Sequence, residues 1–400
     1  MPLDNRKLFA LARRILRMPS KKRGYTDIAP WDKNIIEVLS QQEDIELYVI
    51  SAHTGMKKSF VDFQIGNVCY TFVRCDYATL FKRIIPNDDL WRYLNPMTPV
   101  VQRKVKEFNP DIVMLVGAEN AYYSSTVIGL EKDFPVCVLT QTIYNNPDRS
   151  KYGNVDSKNA TTELEIFHRI KHIGVYSDMH ENLLRAIAPE ADIFRFRFPS
   201  KGLPDIHYNG SKEYDFVNFA KGMSFNKGFH DSIKALSIVK QKYPKVKLNI
   251  VGSSTDDVRK EINDLIISLG LQDNITHTPT FKEQKDVLLH IQKSRFAVLP
   301  CKMDNISGTM TQSMFYGLPL VVYKTPGTPS LNKDKECVLI AEHSNVEDLA
   351  QKMLELMDNS EKAEMLRNNA KECILKRFKE EEGNAERLIN ELKRIISYYN

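Results

Sequence analysis

Short apolar runs recur between longer segments of helical periodicity from residue 31 onward, and this alternation limits the fold more than any other property of the chain. Ile45–Ile50 follows a helix expected over 31–42, on which Trp31, Ile35, Val38 and Leu39 share a face. Asp111–Val116 follows a helix at 98–107, and Val136–Thr140 and His172–Ser177 come next. Apolar strands between helices read as parallel strands covered on both faces. Residues 198–213 break the pattern: they hold two prolines and two glycines without periodicity, so the linker falls there. The alternation then restarts, with strands at Phe216–Ala220, Lys247–Gly252, Ile275–Thr278, Phe296–Pro300 and Leu320–Tyr323. Helices are expected between them at 228–242, 255–269, 282–293 and 309–316. Helices at 346–358, 360–376 and 380–398 end the chain.

Two successive βα halves predict an α/β protein of two doubly wound, Rossmann-like domains facing each other across a cleft. The expected division is 1–203, 204–380, and a helix in 381–400 that packs back toward the N-terminal domain. The 400 residues suit two domains of ordinary size. With 42% hydrophobic and 27% charged residues, a disordered chain is excluded. No run approaches the ~18 apolar residues of a membrane span. The six cysteines (Cys69, Cys75, Cys137, Cys301, Cys337, Cys373) are scattered without a CxxC, which suits reduced thiols in a cytoplasm. The nine histidines show no HExxH or other metal spacing, so no metal site is expected.

The net charge of +5 is uneven: residues 1–23 hold eight Lys/Arg against Asp4, a surplus of +7, and the remainder carries −2. The basic residues 6–23 imply an anionic surface near the N-terminus, a peripheral contact at the inner face of a membrane, and no nucleic-acid partner. Residues 7–16 fit two readings: a basic amphipathic helix with Leu8, Leu11, Ala12, Ile15 and Leu16 on one face, or a first strand at Lys7–Ala12.

Two segments carry the chemistry. In Asp304–Pro319, DNISGTMTQSMFYGLP, the residues Ser307, Gly308 and Thr309 stand where a helix begins after a buried strand. Free N–H groups and the helix dipole there favour an anion, and glycine lets a phosphate approach; an ordinary helix cap is the competing reading. Gln312 lies one turn in, and Gly317 and Pro319 close the helix. In Phe219–Gly228, FAKGMSFNKG, Lys221 and Lys227 stand six apart on a strand-to-helix loop with Gly222 and Gly228. Two such lysines can neutralise a diphosphate, or can simply be solvated. Both segments fall at the carboxyl ends of expected strands, where ligands bind in open α/β sheets.

Together these segments resemble the donor half of the family 4 (group 1) retaining glycosyltransferases, of the GT-B fold. The likeness covers residues 214–380 and rests on FAKGMSFNKGFHDSIKAL, KLNIVGSS, the stretch GLQDNITHTPTFKEQKDVLLHIQKSRFAVLP, and DNISGTMTQSMFYGLPLVVY. Residues 30–200 match more weakly, in WDKNIIEVLSQQEDIELYVIS, NPDIVMLVG and PVCVLTQT. The resemblance implies sugar transfer from a UDP- or GDP-linked donor with retention and without a metal or other cofactor; no DxD motif occurs in the chain. It places Lys221 and Lys227 on the donor diphosphate, and puts the family's paired acids, eight apart, on Asp304 and Gln312. Asp304 then lies near the sugar hydroxyls and Gln312 near the ribose, where glutamine brings no charge. Gln141 falls where the family often has a histidine close to the transferred sugar; it can hydrogen-bond a hydroxyl but cannot act as a base. The glycine pair usual in the first strand–helix loop is missing, Gly24 being the candidate nearest to it. Asp304, Lys227 and Gln141 are thus the expected catalytic residues.

Glu119 and Asn120 follow the strand ending in Val116-Gly117 and read either as acceptor contacts or as helix caps. Tyr122 and Tyr123 read as core residues or as acceptor-side aromatics. The expected partners are a nucleotide sugar and a glycan or lipid-linked acceptor, as in surface polysaccharide synthesis. The alternative is a catalytically weak or inactive GT-B protein that binds a nucleotide sugar or glycan, toward which Gln141, Gln312 and Lys221 point.

Overall fold

The computed structural model describes residues 30–400 apart from 54–55, 77–84, 86–89, 91–93, 148, 150–155, 200–201, 280, 303–305 and 382. The two readings of residues 7–16, the basic residues 6–23 and Gly24 lie outside the described residues. The chain forms two compact units: Met1–Lys201 with Glu381–Asn400, and Gly202–Glu380.

The first unit contains α1 (Pro30–Ser40), β1 (Leu47–His53), β2 (Phe60–Ile65), β3 (Val68–Arg74), α2 (Thr98–Phe108), β4 (Val113–Val116) and the short α3 (Ala121–Ser124). It continues through β5 (Val136–Leu139), α4 (Ser157–Arg169), β6 (His172–Val175), α5 (Asp178–Ile187) and β7 (Asp192–Arg195). Strands β4-β5-β6-β7 form a parallel sheet in that order, in which every residue of β5 and β6 is buried. This is the burial that continuous apolar runs between helices imply.

A second sheet of order β1-β3-β2 was not anticipated: β1 runs parallel to β3, and β2 and β3 form an antiparallel hairpin. Its signal is in the sequence, where two β-rich runs flank Gly66-Asn67, a two-residue turn with Gly66 at φ +60°. α12 (Asn384–Tyr399) belongs to this unit. Leu388, Ile389, Leu392 and Ile395 share one helical face and cluster with Ile35, Leu39, Cys137, Leu139, Phe194 and Phe196. Burying four such side chains at about 1.5–3 kcal/mol each anchors the helix far more than its exposed ion pairs do.

The second unit contains β8 (Tyr214–Gly222), α6 (Phe229–Lys242), β9 (Leu248–Ser253), α7 (Asp256–Ser268), β10 (Ile275–Thr278) and α8 (Gln284–Ile291). It continues through β11 (Ser294–Leu299), α9 (Gly308–Phe315), β12 (Leu320–Tyr323), β13 (Leu339–Ala341), α10 (Val346–Asp358) and α11 (Ser360–Glu381). One parallel sheet of order β10-β9-β8-β11-β12-β13 joins the strands. Alternate residues feed two cores, with Phe216, Leu248, Phe296 and Val321 in one and Val217, Phe219, Ala297 and Leu320 in the other. Strand order reverses between β8 and β11, so the crevice at their carboxyl ends is the topological switch point of this sheet. The short β7 and β13 were not expected from the sequence.

Candidate functional site

The switch point is built by two strand exits. Leaving β8, the chain keeps contact with β9: Met223 N donates to Ser253 O at 2.7 Å and Ser253 Oγ to Lys221 O at 2.6 Å. A 3₁₀ turn, Phe225–Lys227, follows, closed by Lys227 N to Ser224 O and Gly228 N to Phe225 O. Gly228 has φ +74°, and a Cβ there would lie 2.1 Å from the carbonyl oxygen of Pro300, just beyond β11. Glycine is therefore required for both conformation and space. It is also the N-cap of α6, which has no side-chain cap. Lys221 and Gly222 are exposed and Lys227 is half-buried; a Cβ on Gly222 would meet nothing within 4 Å.

The exit of β11 leads to α9. Ser307 is its N-cap: the Oγ accepts from Met310 N at 3.3 Å and lies 2.8 Å from Thr309 Oγ1. The cap reading of this serine is thus realised, while Gly308 beside it is exposed and has nothing within 4 Å of a built Cβ. Gln312 is half-buried one turn along. The helix ends in a Schellman motif, with Gly317 at φ +68°, Gly317 N on Met314 O and Leu318 N on Ser313 O. Asp304 lies outside the described residues. Lys221, Gly222 and Lys227 therefore share one edge of the sheet with Ser307, Gly308, Thr309 and Gln312, at the ends of neighbouring parallel strands.

Gln141, Glu119 and Asn120 belong to the first unit. Gln141 follows β5, half-buried, and its main-chain oxygen accepts from Tyr176 Oη at 2.9 Å. Glu119 is only 9% exposed; Tyr123 Oη donates to Oε1 at 3.4 Å, and Oε2 has no partner among the described residues. Burial pushes this carboxyl up, against the pull of its main-chain hydrogen bond, Tyr123 and Arg149. Asn120 is the N-cap of α3 by position, its main-chain oxygen accepting from Tyr123 N and Ser124 N, but its side chain makes no capping hydrogen bond. Tyr122 packs against the core of the unit, while Tyr123 carries the hydroxyl that reaches Glu119.

Sequence reasoning missed several polar residues. Glu163, fully buried, accepts from Tyr144 N, Asn145 N and Asn145 Nδ2, each at 2.8 Å. No local pattern links positions 18 or 19 apart. Asp32, in the first turn of α1, has an Oδ1 without a partner among the described residues, and burial raises its carboxyl from 3.8 to about 6. Burial wins here over the ~0.3–1 kcal/mol by which a helix start favours a negative charge. A carboxyl raised in the folded state stabilises the fold below its unfolded value, and that contribution is lost as pH rises through the folded value. Asp32→Asn is therefore expected to melt above the parent near about pH 7.5 and to match it near about pH 4, as calorimetry would show. Among the described residues, no group of three or more His, Cys, Asp or Glu is arranged to hold a metal. Among them too, no helix is long and apolar enough to cross a membrane.

Residues 207–373 match the family model described as Glycosyl transferases group 1. An uncharacterized glycosyltransferase of Haemophilus influenzae is 26% identical over 171 residues, 42% of this chain and 45% of that protein. The chain thus matches less than half the length of this curated relative. Sucrose-phosphate synthase from Thermosynechococcus elongatus superposes with a TM-score of 0.73 at 13% identity, over 92% of this chain and 93% of that one. A structure described as trehalose-6-phosphate from E. coli bound with UDP-2-fluoro glucose superposes with a TM-score of 0.64 at 10% identity, over 94% and 97%. The fold is that of the GT-B glycosyltransferases, with parallel-sheet, Rossmann-like units.

Proposed function

We propose that this chain is a glycosyltransferase that moves a sugar from a nucleoside diphosphate donor to a hydroxyl acceptor, with retention and without a metal. The observation that carries this reading is the switch point itself. Two lysines on the β8 exit and the amino end of α9, with open space at Gly222 and Gly308, occupy the ends of adjacent strands. The matched family model spans this same region.

In the proposed reaction the bond from the anomeric carbon to the diphosphate oxygen breaks, and its electron pair leaves with the diphosphate. The acceptor oxygen bonds to the anomeric carbon from the same face, and its proton passes to the departing diphosphate oxygen. No protein base is needed; the requirement is stabilisation of the charge that develops on the leaving group. Lys221, Lys227 and the Ser307–Thr309 helix start supply it. Gln312 is assigned to the ribose and Asp304 to the sugar hydroxyls, and Gln141, Glu119 and Asn120 to the sugar and acceptor side. The UDP-2-fluoro glucose bound to the E. coli structure supports a UDP-linked donor, with GDP as the competing base. A glycan or lipid-linked acceptor in surface polysaccharide synthesis, reached through basic residues 6–23 at the inner membrane face, completes the proposal.

Thermal shift against UDP, GDP and their sugar conjugates tests the donor, since a bound ligand raises the melting temperature by mass action. A shift with one base and release of its diphosphate in the presence of acceptor are expected, and no shift with any of them would reject the reading. A shift without turnover would identify a non-catalytic binder instead. In EDTA the transfer rate is expected to stay within about twofold of the untreated rate, because cationic side chains replace the metal. Complete loss that added Mg²⁺ or Mn²⁺ restores would reject metal independence.

A further inference from the structure

Beneath the 3₁₀ turn that carries Lys227 lies a buried ionic network that no local pattern announces. Lys302, 6% exposed, places Nζ 2.9 Å from Oδ2 of Asp231, itself 3% exposed. Tyr323 Oη donates to the same Oδ2 at 2.9 Å. The Lys302 ammonium also sits 3.7 Å from the centroid of the Phe225 ring, and the Lys302 amide donates to Asn226 O at 2.9 Å. His343 Nε2 lies 3.1 Å from Lys302 O. Phe225 and Asn226 are the first two residues of the turn, and Lys227 is the third. Asp231 stands in the first turn of α6, which begins immediately after that turn. One ammonium therefore ties the strand exit of β11 to the first residue of the turn and to the helix that follows it.

Taking a lysine and an aspartate out of water is unfavourable, and such a pair is a weak source of stability compared with apolar side chains of similar volume. What it supplies is direction: the charge fixes where each partner lies. Phe225 supports this. It is 56% exposed, so its contribution to the core is small, yet its face covers the ammonium. We infer that Lys302 is a positioning residue, which holds the turn Phe225–Lys227 through Asp231, the Phe225 ring and Asn226 O and so sets where the Lys227 ammonium meets a nucleoside diphosphate. The inference rests on the donor site proposed above. The diphosphate binds well only if its cation is already in place, since ordering a loop on binding subtracts from affinity.

Two measurements on one set of variants test it: hydrogen exchange of amides 224–228, and UDP affinity by isothermal titration. In Lys302→Met the exchange of that segment is expected to accelerate about tenfold and UDP to bind about tenfold more weakly, while exchange in the interior of β8 and β9 stays unchanged. Phe225→Leu keeps the ion pair and removes the ring face, and smaller changes of the same sign are expected without loss of melting temperature. Lys302→Arg keeps a cation beside Asp231 and under Phe225 and should restore most of the protection and affinity. Unchanged exchange over 224–228 in folded Lys302→Met and Phe225→Leu would overturn the inference. So would UDP bound equally by parent and Lys302→Met despite faster exchange. Should Lys302→Met fail to fold, Phe225→Leu against Lys302→Arg decides the same question. A parent that binds neither UDP nor GDP would remove the donor reading, and the exchange data would still decide whether Lys302 holds the turn.

Discussion

Lys227→Ala is expected to lower sugar transfer by about 10²–10³-fold, the loss found when one preorganised group facing developing charge is removed from an active site. Lys227 ends the 3₁₀ turn, its amide bound to Ser224 O, and is followed at once by Gly228 and the uncapped start of α6. Its main chain is thus held by the turn, and in the proposed reaction its cation would face the charge that develops on the leaving group. The loss should appear mainly in kcat, with a smaller rise in KM, because the diphosphate carries more charge as it departs than when it arrives. Lys227→Arg should recover part of the activity, since it restores charge with a different shape. Steady-state rates with the donor identified by thermal shift, and UDP affinity in the same variant, check this. Turnover and affinity equal to the parent would place the diphosphate elsewhere.

Gly228→Ala is expected to cost the second unit about 2–4 kcal/mol, combining a left-handed backbone forced on an L-residue with overpacking of a close contact. The atoms involved leave little room for relaxation. The new Cβ would meet Pro300 O at 2.1 Å and Pro300 C and Cγ at 2.7 Å. That carbonyl belongs to the backbone leaving β11, whose neighbour Cys301 N is bound to Leu299 O at 2.8 Å. Relief would have to come from moving the turn, which would also displace Lys227. The melting transition should fall by roughly 5–15 °C for a unit of this size, and transfer should fall with it. Gly222→Ala is the control: its Cβ meets nothing within 4 Å, so a change within about 0.5 kcal/mol is expected. A Gly228→Ala protein that melts like the parent would contradict the contact with Pro300.

Much of the second unit was legible from residue order because the interactions that specify it are local. The strands around Phe216, Ile250, Val298 and Val321 are apolar runs buried on both faces. The helix of Met310 and Met314 is bracketed by a serine cap and a Schellman glycine, each recognisable within four residues. The hairpin around Gly66-Asn67 was equally local; an explicit test for alternation across two-residue turns would have found it. Strands as short as Leu339–Ala341 give too few residues for a period to show, and only pairing with β12 makes them strands.

Placement of charge was a different matter. Lys302 and Asp231 are 71 positions apart, Tyr323 and Asp231 92, and both links form only when β11 and β12 are laid beside β8 and α6. Glu119 Oε2, which has no partner among the described residues, and the raised carboxyl of Asp32 likewise reflect burial in the folded unit, which residue order alone does not show. By itself the sequence determined the order of strands and helices in the second unit up to β12, the lysine-bearing loop and the capped helix, since periodicity, glycine conformation and caps act within a few residues. Only the tertiary structure decided that β8 and β11 are neighbours, which brings the loop and the helix to one sheet edge, and that a buried ammonium braces the turn. Those outcomes require backbone pairing and desolvation between segments that only the folded sheet brings together.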